Sequence, residues 1–190
     1  TASDGAFYDL FGESVTLDGD TTVIGARGNF NNGRGYAGAA YVYVRSNGVW
    51  SEQAKLTAGT NSIVSGNFGS SVSISGEKAA IGAKYDDDNG YRSGSAYVFV
   101  RSNGVWSEHM KLIARDGDAD DQFGYSVSID SDTIVIGAPY DSENIIDLTL
   151  NYGSVFAFPL TPPHQDTPAL ISGDISSNLE IGGIGFGTLI

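Results

Sequence analysis

The octapeptide RSNGVWSE occupies Arg45–Glu52 and recurs unchanged at Arg101–Glu108. Around it a longer phrase returns three times: FGESVTLDGDTTVIGA from Phe11, FGSSVSISGEKAAIGA from Phe68 and FGYSVSIDSDTIVIGA from Phe123. Each runs through a dissimilar segment into GAAYVYV at Gly38, GSAYVFV at Gly94 or GSVFAF at Gly153. A chain that repeats itself in this way is an array of one small structural unit, with neighbouring copies covering each other's apolar faces.

Apolar and polar residues alternate with period two in each copy, which predicts four short strands per unit and no helix. In the middle copy the pattern places them at about Ser70–Ile74, Lys78–Ile81, Ser95–Arg101 and Val105–Leu112. Short turns join the first pair, and Asn47-Gly48 or Asn103-Gly104 joins the last pair, a dipeptide suited to tight hairpins. The 26 Gly, 10 Tyr and 9 Phe against 5 Pro fit strands joined by tight turns. Four antiparallel strands per unit, repeated, is the pattern of propeller blades, so the expected fold is all-β.

FG followed by a strand, then IGA or IGAP, then GSAYVFV resembles the FG-GAP repeat of integrin α-subunit heads and bacterial surface proteins. The WSEQAKL phrase before Thr57 and the opening TASDGA resemble its bacterial subtype. The resemblance covers residues 1–160 and implies a β-propeller used for extracellular or cell-surface adhesion and binding, without catalysis. Three blades, at about 1–56, 57–112 and 113–160, make a small, partial or oligomer-completed propeller. Residues 161–190 read as a linker and a C-terminal β-strand tail, because Pro162-Pro163 interrupts the third copy where its fourth strand is due. The family's calcium loop lies between strands one and two. Here those turns are too short to wrap the ion, so that site is not carried over to Asp18, Asp20 or Asp130.

Lys and Arg number 10 and Asp and Glu 23, a net charge of −13. Phosphate backbones and anionic lipid are repelled by such a chain, so nucleic-acid partners are not expected. No apolar run approaches the ~20 residues of a membrane helix, so neither is membrane insertion. Without cysteine there is no thiolate nucleophile or thiolate zinc site. No nucleophile, base and orienting acid recur together, and the expectation is a non-enzyme. The partners expected are a protein or glycan ligand, and copies of the chain itself.

Phe11, Phe68 and Phe123, at one fixed place in each repeat, read as packing between blades, as do Trp50 and Trp106. The segments between strands two and three, and those leaving strand four, emerge at one end of an antiparallel blade. Being long and dissimilar, they are the expected recognition face, with Phe30, Arg34, Tyr36, Tyr85, Tyr91, Arg92 and Tyr140 as contact candidates. Possible calcium ligands are Asp116, Asp118, Asp120 and Asp121, which alternate before Phe123, and the run Asp86, Asp87 and Asp88. Turn formation is the competing role for all of these acids. In the tail, Leu179, Ile181, Ile184, Phe186 and Leu189 are assembly candidates, able either to complete the third blade or to pair with the edge of another molecule.

Overall fold

A computed structural model describes residues 1–30, 36–59, 66–141, 153–160, 180–181 and 184–185. Two four-stranded antiparallel sheets follow one another along the chain. Blade 1 contains β1 (Val15–Asp18), β2 (Thr21–Ala26), β3 (Ala39–Ser46) and β4 (Val49–Leu56) in that order. Blade 2 contains β5 (Phe68–Ser75), β6 (Lys78–Ala83), β7 (Ser95–Ser102) and β8 (Val105–Leu112). Blade 3 is a three-stranded sheet of β9 (Ser126–Asp130), β10 (Thr133–Ala138) and β11 (Ser154–Pro159). A separate short pair, β12 (Glu180–Ile181) and β13 (Ile184–Gly185), brings Ile181 opposite Ile184.

The local chemistry explains these elements. Asn47 and Asn103 adopt φ of 51° and 52°, followed by Gly48 and Gly104 at 79°, the left-handed pair that matches the twist of a two-residue hairpin. Register is shared between copies: Ile24 lies opposite Tyr41, Ile81 opposite Tyr97 and Ile136 opposite Phe156. A bulge recurs after Val42 and after Val98. Strands five and six extend a residue or two past the limits the alternation suggests, because Phe68 pairs with Ala83 beyond the bulged Gly69-Ser70.

Each blade has a back face turned to the next blade and a front face turned to the preceding one. Val23, Ala40, Val42 and Leu56 on the back of blade 1 share one core with Phe68, Ile74, Ile81, Tyr97, Phe99 and Trp106 on the front of blade 2. Ala80, Ala96 and Val98 on the back of blade 2 meet Phe123, Ile129, Ile134, Ile136 and Phe156 of blade 3 in the same way. Glycine makes this close approach possible. A Cβ on Gly25 would lie 2.1 Å from Gly69 O, and one on Gly82 would lie 2.0 Å from Gly124 O. Ser14 Oγ donates to Gly69 O at 2.8 Å and Ser71 Oγ to Gly124 O at 2.9 Å, so the two junctions are tied by equivalent bonds.

Phe68 and Phe123 are fully buried between blades, as the repeat position requires, and Trp106 is buried too. Phe11 is only half-buried and Trp50 is exposed, because no described blade lies in front of blade 1.

Candidate functional site

The segment between β6 and β7, residues 84–94, is held by its own side chains. Asp86 is fully buried. Its Oδ2 accepts from Ser95 Oγ at 2.7 Å, Tyr97 OH at 2.8 Å and Lys111 Nζ at 2.9 Å, and its Oδ1 accepts from Asp87 N at 3.0 Å. Lys111 also pairs with Asp88. Asp87 Oδ1 accepts from Arg92 N at 2.7 Å, and Asn89 Nδ2 donates to Ala114 O at 2.7 Å. Burial alone would raise the Asp86 carboxyl, but the bonds from Lys111, Ser95 and Tyr97 hold it below its ordinary value. Burial pushes the Tyr97 phenol up to about 12.

This braced loop presents a row of rings and cations at the long-loop end of blades 2 and 3. Arg92 lies over Tyr85 at 4.6 Å and over Tyr91 at 4.8 Å. Lys84 lies over Tyr125 at 4.5 Å and over Tyr85 at 5.4 Å. Tyr125 in turn meets Tyr140 edge-on at 6.3 Å. Tyr91, Tyr125 and Tyr140 are exposed, so the row is a ledge open to solvent. Burial lowers the Lys84 ammonium, with Arg27 adding to the effect and Glu13 opposing it. On blade 1, Phe30 and Tyr36 form a second exposed pair, 5.2 Å apart.

Under the corresponding loop of blade 1, Asn29 replaces Asp86. Its Nδ2 donates to Asp9 Oδ2 at 3.0 Å, Lys55 Nζ bonds its Oδ1 at 3.0 Å, and Tyr41 OH donates to Asp4 Oδ1 at 2.6 Å. Asp9 Oδ1 is buried with no hydrogen-bond partner among the described residues. In the connection to blade 3, Asp121 is buried and accepts from Asp118 N at 2.5 Å, while Asp116, Asp118 and Asp120 are exposed. Burial drives the Asp121 carboxyl up to about 6, the Asp118 N–H opposing this and the charges of Asp141, Asp118 and Asp116 adding to it.

The FG-GAP repeat family matches residues 1–43, 50–99 and 106–158, three successive stretches that together take in all three blades. The chain belongs to the FG-GAP repeat family. A search of curated proteins finds no match. Among its FG-GAP blades, the loop residues singled out by sequence fall into two groups. Tyr85, Tyr91, Arg92 and Tyr140 share the ledge, whereas Phe30 and Tyr36 stand apart from it; Arg34 lies outside the described residues. Lys84 and Tyr125 were missed. Lys84 opens a loop already flagged as variable, but Tyr125 sits where Glu13 and Ser70 occur in the other repeats, so repeat comparison gives no cue to it.

The acidic candidates divide differently. Asp86, Asp87 and Asp88 are engaged by Lys111, Ser95, Tyr97 and the Arg92 backbone, bonds within the FG-GAP fold that brace the loop. Among the described residues no group of three or more His, Cys, Asp or Glu is placed to hold a metal ion. Of the tail candidates, Ile181 and Ile184 are register partners in β12 and β13, and Leu179, Phe186 and Leu189 lie outside the described residues.

Proposed function

We propose that this chain is a non-enzymatic extracellular recognition module of a microbial surface or secreted protein, acting in adhesion or protein–protein assembly. The observation that carries the reading is the ledge of Tyr91, Arg92, Tyr85, Lys84, Tyr125 and Tyr140. Aromatic rings with a cation at either side offer contact area at low entropic cost and suit a protein surface or a glycan ring. The bonds around Asp86 fix the loop before a ligand arrives, which lowers the cost of ordering it on binding. Lys84 and Arg92 are cations in a chain of net charge −13, so they favour a ligand that carries an acid at its edge.

Beads carrying the chain test the reading on a glycan array and on a panel of purified extracellular proteins. Binding that disappears in the double variant Tyr85→Ala/Arg92→Ala, with the melting temperature held, supports the ledge. Binding that the variant leaves intact moves the ligand elsewhere, and a blank on both panels overturns the recognition reading. The same beads with and without calcium test whether the acidic connection at Asp116–Asp121 takes up a cation as part of the module.

A further inference from the structure

The front of blade 1 and the back of blade 3 are open at positions that are covered at the internal junctions. On the front of blade 2, Ile74 is 7% exposed and Trp106 is 9% exposed, because the back of blade 1 covers them. Their counterparts on blade 1, Leu17 and Trp50, are 63% and 40% exposed. Val15 is equally open beside them. At the other end, Val135 and Val155 of blade 3 occupy the positions of Val23 and Ala40 in blade 1 and of Ala80 and Ala96 in blade 2. Those four are fully buried, but Val135 and Val155 are exposed.

The glycines point the same way. A Cβ on Gly69 would lie 2.3 Å from Ala39 O, and one on Gly124 would lie 2.2 Å from Ser95 O, each in the preceding blade. At the equivalent Gly12 nothing among the described residues stands within 4 Å. Gly25 and Gly82 press on the next blade, whereas at Gly137 the added atom meets, among the described residues, only Ser126 of its own blade. Polar groups are matched as well. Arg101 Nη1 reaches Thr21 Oγ1 of the preceding blade at 3.2 Å, and Arg45 on the open front is its counterpart. Thr133, at the place of Thr21, lies on the open back.

We propose that the front of blade 1 docks on the back of blade 3 of a second copy of this chain, head to tail, repeating the contact that joins blades 1 and 2. In it Leu17, Val15 and Trp50 cover Val135 and Val155, Arg45 meets Thr133, and Ser126 Oγ donates to Gly12 O as Ser14 does to Gly69 O. Such a contact is heterologous: two copies that close on each other make six blades, within the ~4–8 of known propellers, and copies that do not close form a filament. The inference concerns the two sheet faces and is independent of the ledge.

One substitution on each face tests it. Leu17→Glu disables the front and Val155→Glu the back, both at exposed positions, and circular dichroism melts establish that each variant is folded; Val135→Glu replaces the back variant should Val155→Glu fail to fold. On size exclusion with light scattering, the parent is expected at twice the monomer mass or more and each variant alone at the monomer mass. Mixed, the two variants are expected to form a two-chain species and nothing larger, because one intact front then meets one intact back. A monomeric parent, a back variant that still assembles, or a mixture that stays monomeric would each overturn the proposal.

Discussion

The indole N–H of Trp106 donates to Oε1 of Gln53, 2.9 Å away across the junction of blades 1 and 2. Arg101 lies over the same indole and bonds the same Gln53 oxygen, so a residue from each blade closes the rim of the buried contact. Trp50 belongs to an identical octapeptide and keeps its arginine, Arg45, 5.4 Å from the ring, but has no described blade in front of it.

This difference predicts unequal costs for the same substitution. Trp106→Ala is expected to lower stability by about 3–5 kcal/mol, the range for a buried aromatic. Trp50→Ala, measured by urea denaturation of dilute protein, is expected to cost under about 1 kcal/mol. Equal losses would mean that the two faces are equally covered.

Glycine substitutions should separate backbone conformation from close approach. Gly12 and Gly69 share positive φ, 94° and 88°, so alanine is strained at both. Only at Gly69 does the added carbon also meet the neighbouring blade. In dilute, monomeric protein Gly69→Ala is therefore expected to lower the melting temperature well beyond Gly12→Ala, and parity between them would contradict the packing described.

Asp121 predicts a pH signature. Its carboxyl titrates at about 6 in the fold against about 3.9 unfolded, so the folded state holds the proton more tightly. The stability linked to that proton is complete below about pH 4 and lost as the pH rises through about 6. Asp121→Asn keeps an acceptor for the Asp118 N–H and removes the charge. Relative to the parent it is expected to be near neutral around pH 4 and more stable by up to about 3 kcal/mol above pH 7. A gain that does not change with pH would assign the effect to something other than this ionisation.

The Asp86 carboxyl is displaced the other way, and its contribution is present above the ordinary carboxylate range and lost as the pH falls through its lowered folded value. Lys111→Met leaves this buried carboxylate without its cation and is expected to cost about 3–5 kcal/mol at neutral pH. Asp86→Asn is expected to cost less, because blade 1 already places Asn29 opposite Lys55. Chemical denaturation of both variants reads the order directly.

Much of this fold is legible in the sequence because its rules are local. Alternation marks the strands, Asn-Gly marks the hairpins and the FG glycine marks each junction. What the sequence does not disclose depends on contacts between distant segments. The identity of RSNGVWSE in two copies hides the fact that one tryptophan is buried and the other exposed, since the covering residues belong to another blade. Nothing in the run Asp86–Asp88 discloses that Lys111, on the last strand of the blade, pairs with Asp86 and Asp88. Tyr125 joins the ledge only because blade 3 sets it beside Lys84.

The account turns on whether the open front and back faces complete each other. Its most direct measurement is the solution mass of the unmodified chain by light scattering over a wide concentration series. The account predicts at least twice 19.9 kDa at the upper end, falling toward the monomer on dilution. A constant 19.9 kDa at every concentration would contradict it.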